Sequence, residues 1–168
     1  FNDEPVDVLV KKFLTQNGTV LDLRLKYIGD EGLAYLAKCT DLIDLEVLNL
    51  ERNEITDKGV QALASSSIIT NLKALHLERN HIGDAGAKAI ADSTNFSYLN
   101  FINLWKNDVG AEGAKAIAGS SILVNLKNLD LAKNNIGDEG AKALAESETL
   151  AGLELLEVFG SGLTDAGK

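Results

Sequence analysis

The sequence predicts an α/β solenoid, a curved stack of units that each contribute one short strand and one helix. Three observations predict it. One 27-residue pattern recurs in frame, without a gap, from Gly18 towards the end of the chain. Each copy opens with L-x-x-L-x-L, whose last two leucines alternate as a half-buried strand does, and continues into a Gly/Ala-rich stretch with helical apolar spacing. One strand and one helix of this size cannot bury an apolar face alone, so the copies must stack into a continuous core.

The clearest copies are LEVLNLERNEITDKGVQALASSSIITN (45–71), LKALHLERNHIGDAGAKAIADSTNFSY (72–98), LNFINLWKNDVGAEGAKAIAGSSILVN (99–125) and LKNLDLAKNNIGDEGAKALAESETLAG (126–152). A looser copy precedes them at 18–44, and a partial one, LELLEVFGSGLTDAGK, follows at 153–168. Residues 1–17 read as a helical half-repeat or cap, with Asp3, Val6, Leu9 and Val10 standing where Asp138, Ala141, Leu144 and Ala145 stand. The expectation is a single domain over 1–168. Its last strand, around Leu153, Leu156 and Val158, has no complete helix after it, so either the chain is part of a longer array or this edge pairs with a second copy.

Within a unit, Leu48, Leu75, Ile102 and Leu129 are expected to point inward from their strands. Asn53, Asn80, Asn107 and Asn134 follow each strand, and an asparagine there can satisfy the backbone groups of a tight turn, forming an internal ladder. Asp57, Asp84 and Asp138 then stand where an N-cap belongs, ahead of helices near 58–65, 85–92, 112–119 and 139–146. Ala87, Ile90 and Ala91 form the buried stripe of one of them. Gly32, Gly59, Gly86, Gly113, Gly140 and Gly167 recur inside the helical stretch, where glycine is unfavourable; a close backbone approach accounts for them better than propensity.

The pattern L-x-x-L-x-L-x-x-N-x-I-G-D-x-G-A-K-A-L-A resembles the ribonuclease-inhibitor type of leucine-rich repeat over essentially the whole chain. The resemblance implies a horseshoe with a parallel β-sheet lining its concave side and helices forming its convex side, and protein binding as its function. The unit is slightly shorter than that family's usual one and lacks the alternation of two unit types in the inhibitor itself, so ribonuclease inhibition is not implied. Similar short units occur in effectors delivered into host cells, in immune receptors and in GTPase activators. Regulation of an enzyme, as a GTPase activator or an enzyme inhibitor, or action as a bacterial effector on a host protein, is therefore the alternative to a plain binding scaffold.

Composition narrows the classes further. The chain is 45% hydrophobic with a formal charge of −9, which opposes general binding to nucleic acid or anionic membranes. No run approaches the length of a membrane span. One cysteine, Cys39, cannot form an internal disulfide, which favours a cytoplasmic setting, or a host cytosol for a secreted effector.

The stretch ALHLERNHIGDAGAKAIA (74–91) concentrates the histidines, yet every member fits a repeat column. His76 aligns with Asn49, Asn103 and Asp130, and His81 with Glu54, Asp108 and Asn135, so the three or four converging ligands of a zinc site are missing. GDAGAK lacks phosphate-loop spacing. Cys39 fills the column of Ser66, Ser93, Ser120 and Ser147, and the aspartates form one column of caps, which leaves neither a nucleophile nor an acid–base pair. Neither cofactor, metal nor catalysis is expected.

Departures from the repeat mark the candidate site. On the concave face one column reads Arg24, Glu51, Glu78, Trp105, Ala132, Phe159, and Phe101, Asn103 and Trp105 should project together from alternate positions of one strand. Leu155 and Phe159 continue this patch, and His76, Asn103, Asp130, Arg79 and Lys106 rim it. Arg52, Arg79, Lys106 and Lys133 form a basic rail, partly neutralised by Glu51 beside Arg52 and Glu78 beside Arg79. The reading is a protein partner docked around Trp105, a residue type that often dominates binding energy. The competing reading is a surface lid, with Trp105 packed over Ala132 and Phe101. Helix pairs such as Glu112 with Lys115 and Glu139 with Lys142 need no function.

Overall fold

The computed structural model describes residues 4–167; Asp3 and Lys168, which the sequence reading used, lie outside them. Helix α1 (Val6–Phe13) leads into strand β1 (Leu14–Thr15), and then strand and helix alternate: β2 (Val20–Asp22), α2 (Gly29–Leu36), β3 (Val47–Asn49), α3 (Asp57–Ala64), β4 (Ala74–His76), α4 (Asp84–Asp92), β5 (Phe101–Asn103), α5 (Ala111–Ala118), β6 (Asn128–Asp130), α6 (Gly137–Ala145) and β7 (Leu155–Glu157). The strands lie side by side in sequence order. From β2 to β7 all pairs are parallel, in the register Leu21, Leu48, Leu75, Ile102, Leu129, Leu156. The α/β solenoid with a parallel sheet and a layer of helices is the observed fold, and the helices lie within two residues of their expected positions.

One pairing departs from the expected parallel order. Strand β1 runs antiparallel to β2, with Leu14 opposite Leu21. The intervening Gln16 and Asn17 both take φ near +55°, at 53° and 57°, and Gly18 follows at 89°. Asn-Gly at a tight reversal is the strongest short hairpin signal, and it turns the chain back before the first full unit.

Every inward leucine or isoleucine of β2 to β6 is buried, and Leu33, Leu36, Val60, Leu63, Ala87, Ile90, Ala114 and Ile117 meet them from the helices. A further inward position precedes each strand: Leu42, Ile69, Phe96, Leu123 and Leu150 are all buried, the first and third on short 3-10 turns, Thr40–Leu42 and Thr94–Phe96.

The asparagine ladder is present and crosses the repeats. Asn80 Oδ1 accepts the backbone N–H groups of Asn53 and Ile55, each at 3.0 Å, while its Nδ2 donates to the carbonyls of Leu50 and Leu77. Asn107 and Asn134 repeat the arrangement one and two units on. Each side chain satisfies buried backbone groups of two repeats, and each group orphaned by its loss costs about 1–3 kcal/mol. The serine column is a second ladder and not merely a small-residue slot: Ser66, Ser93, Ser120 and Ser147 donate to the carbonyls of Ala37, Ala64, Ala91 and Ala118 in the preceding helix.

The aspartate column needs correction. Asp57 and Asp84 are the first residues of their helices, and their N-caps are Thr56 and Gly83. The carboxylates reach into the following repeat: Asp30 Oδ1 accepts from the Thr56 and Gly59 N–H groups, Asp57 Oδ1 from Gly83 and Gly86, and Asp84 Oδ1 from Gly110 and Gly113. Each aspartate thus caps the next helix rather than its own, which local spacing alone does not reveal. The column breaks once, at Ala111. In the unit after the break the helix begins from Gly137 at φ +61°, as α2 does from Gly29 at +60°, where Gly83 and Gly110 stand at −103° and −99°.

Helix-face ion pairs also cross repeats. Lys115 pairs with Glu112 at 3.0 Å as expected, but Glu139 binds Lys115 at 2.8 Å and not Lys142, which turns to Glu146 at 3.9 Å. The two carboxylates push the Lys115 ammonium up to about 12, chiefly through its hydrogen bond to Glu139.

Candidate functional site

The concave face is built by three outward positions of each short strand segment. Alternation along β5 and the residues after it buries Ile102 and Leu104 and leaves Phe101, Asn103 and Trp105 half-exposed on one side, as the sequence predicts. Phe101 lies against His76 of the preceding strand, ring centroids 4.6 Å apart. Two strands further along, Leu155 and Phe159 are 50% and 78% exposed, so they present free apolar surface.

Trp105 is less naked than the sequence suggests. The Arg79 guanidinium lies 4.5 Å from its ring centroid and Lys133 Nζ 5.5 Å, so cations from the repeats on either side fold over the indole. Ala132, its neighbour in the same column, is buried. The ring is thus partly covered by the two cationic side chains.

The middle column carries structural work that sequence reasoning did not assign. Asn103 Oδ1 accepts the Trp105 N–H at 2.8 Å, and Asp22, Asn49 and Asp130 do the same for Arg24, Glu51 and Ala132. These side chains hold the chain where it leaves the strand. His76 breaks this use of the column, and its Nδ1 instead lies 3.2 Å from Glu78 Oε1. The other Glu78 oxygen is buried without a partner among the described residues. Burial raises the Asp130 carboxyl above its ordinary range; the backbone hydrogen bond from Ala132 opposes this, and Glu157 and Glu78 add to it.

The basic rail differs from its expected form. Glu51 pairs with Arg79 at 3.9 Å and not with Arg52, and Glu78 faces His76 and not Arg79. Among the described residues Arg52, Lys106 and Lys133 make no salt bridge. All four cations sit in the left-handed region, at φ 54° for Arg52 and 55° for the others, a conformation costing a side-chain-bearing residue about 1–2 kcal/mol. Leu25 and Gly160 hold the same conformation at the two ends of the row. The N–H of each pins it to the next repeat: Arg52 donates to Glu78 O, Arg79 to Trp105 O, Lys106 to Ala132 O and Lys133 to Phe159 O, all within 3.0 Å. A shallow cleft of about 330 Å³ runs beside the row, lined by Tyr27, Arg52, Glu54, Arg79, His81 and Lys106, with His81 lying 3.8 Å from Asp108.

The structure therefore gathers His76, Phe101, Asn103, Trp105, Arg79 and Asp130 on one face, with Lys106 at its rim and Leu155 and Phe159 further along. Leu25 and Tyr27, 48% and 46% exposed, were missed. Their signal was positional: Leu25 occupies the rail's column one unit earlier. Among the described residues no cluster of three or more His, Cys, Asp or Glu is placed to hold a metal ion, and no helix is long and apolar enough to cross a membrane.

A sequence model of the family described as Leucine Rich repeat matches this chain four times, over residues 43–64, 69–91, 97–118 and 123–145. A solved internalin from Listeria monocytogenes is 23% identical, with a TM-score of 0.42; the similarity covers 79% of this chain and 46% of that one. The chain thus spans less than half the length of that internalin chain. No curated protein matches.

Proposed function

This chain belongs to the leucine-rich repeat family, and from that premise we propose that it is a non-catalytic scaffold which binds a protein partner on its concave face, around Trp105. The observation that carries the reading is the aromatic and apolar set Phe101, Trp105, Leu155 and Phe159 on the side of the sheet opposite the core-facing Ile102 and Leu156. Sibling repeats fill the same columns with Ala74, Asn128, Glu51 and Glu78, so packing does not demand large apolar groups there. Apolar groups gathered without a packing reason mark contact surfaces, and tryptophan and arginine are enriched among the residues that dominate them. Arg79 stacked on Trp105 combines both.

A photo-reactive residue tests this. Asn128 pairs in register with Phe101 on the concave face, and Gln61 is exposed on helix α3. Benzoylphenylalanine at 128 should cross-link a distinct protein in extracts of the source cells, competed by excess wild-type chain and not by Trp105→Ala. Cross-linking only from position 61, or competition by Trp105→Ala as strong as by wild type, would contradict the reading.

A further inference from the structure

We propose that the row Arg52, Arg79, Lys106 and Lys133 is a binding strip for an acidic helical segment of the partner, laid across the repeats at the rim of the concave face; this rests on the protein-binding reading above. Four consecutive repeats place a cation at a backbone position whose left-handed φ favours glycine, which stands there only at Gly160. Three of these cations make no salt bridge among the described residues, although acids outnumber bases by 25 to 16 in the chain. The backbone of each is tied to the next repeat, so the spacing of the row is fixed by the sheet.

That spacing selects the ligand. Neighbouring strands lie about 4.7–4.9 Å apart, so the backbone positions from which the four side chains start recur at about that interval. An α-helix advances about 1.5 Å per residue, and carboxylates spaced alternately three and four residues apart recur every 4.5–6 Å along one stripe, in near register with the row. Leu25 and Tyr27 continue the strip with apolar surface, so an apolar residue one turn beyond the acidic stripe has a seat. A phosphate backbone fits less well. Glu51 and Glu54 stand among the cations and Asp108 beside His81 in the same cleft, and a polyanion charged on every unit meets them, whereas a helix keeps its charge on one face.

Trp105, the chain's one tryptophan, lies beneath Arg79 and Lys133 and reports on the row by its fluorescence. The probe is an alanine-based peptide held helical by a side-chain lactam, with a leucine followed by glutamates alternately three and four residues apart. Two competitors are used: an isomer with the same glutamates spread around the helix, and a single-stranded DNA of equal charge. The in-register peptide should shift the Trp105 emission and bind about ten-fold more tightly than either competitor. The Arg52→Gln/Lys106→Gln protein, altered only at exposed side chains, should lose about ten-fold of that affinity while its circular dichroism is unchanged. Equal binding of the isomer or the DNA, no binding of the peptide, or no loss in the double variant would overturn the proposal. The cross-linked partner separates the two readings. If it binds the double variant fully yet loses affinity for Trp105→Ala, the strip is wrong and the concave face stands. If it ignores Trp105→Ala, the concave reading itself fails.

Discussion

Asp57 Oδ1 accepts the N–H of Gly86, 29 residues further on, at 2.8 Å, and the same oxygen lies 2.6 Å from where a Cβ on Gly86 would stand. Ile82 Cγ2 is equally close to that point. The glycine is thus required by the cap of the preceding repeat. Gly86→Ala should lower stability by about 1–3 kcal/mol through overpacking, although alanine is the better helix former by about 1 kcal/mol. Urea unfolding checks this, and a variant as stable as wild type would show that the aspartate can move aside freely.

The break at Ala111 yields a coupled prediction. With no carboxylate reaching forward, the next helix starts from Gly137 in the left-handed region, where Gly137 N donates to Ser161 O. Where an aspartate is present, as at Asp30, the equivalent residue is Thr56 in an extended conformation, bonded to it through both its N–H and its hydroxyl. Gly137→Thr alone should destabilise by about 1–2 kcal/mol. Combined with Ala111→Asp, the penalty should vanish, giving a coupling of about 1 kcal/mol or more in a double-mutant cycle by thermal unfolding. Additive effects would mean that the break is unrelated to the helix start.

Much of the fold was legible because a repeat is read several times over: the inward leucines, the asparagine ladder and the helices each recur in frame at 27 residues. What was misread lies between repeats. The reach of Asp57 to Gly86, of Ser66 to Ala37 and of Glu139 to Lys115 joins groups 29 or 24 residues apart, while a capping or i,i+3 rule looks only a few residues along. The candidate site was legible as columns of outward residues. How Arg79 and Lys133 close over Trp105 was not, because long side chains choose their partners across strands.

Asp130 carries a pH prediction. Its folded carboxyl is raised, chiefly by burial, so the folded state binds its proton more tightly than the unfolded state. This group favours folding at low pH and loses that advantage as pH rises from the ordinary carboxylate range through its raised value. Asp130→Asn keeps an oxygen able to accept the Ala132 N–H and removes the titration. Relative to wild type, the variant should gain stability across that window and hold the gain at neutral pH. Denaturant titrations at several pH values check it; a difference independent of pH, or one that shrinks as pH rises, would remove the role assigned to Asp130.

The central claim is that Trp105 anchors a protein partner while Leu104, its fully buried neighbour, serves the core. Leu104→Ala should cost about 2–5 kcal/mol of stability through a cavity. The half-buried Trp105, stacked with two cations, should cost only about 1–2 kcal/mol when replaced by alanine, more than a freely exposed ring would. The most direct measurement is the affinity of the cross-linked partner for Trp105→Ala, by calorimetry at a temperature where the variant is fully folded. A loss of about 2 kcal/mol or more, roughly thirty-fold, is the predicted result. Full affinity in a variant that melts markedly earlier than wild type would contradict it and leave Trp105 as a lid on its own sheet.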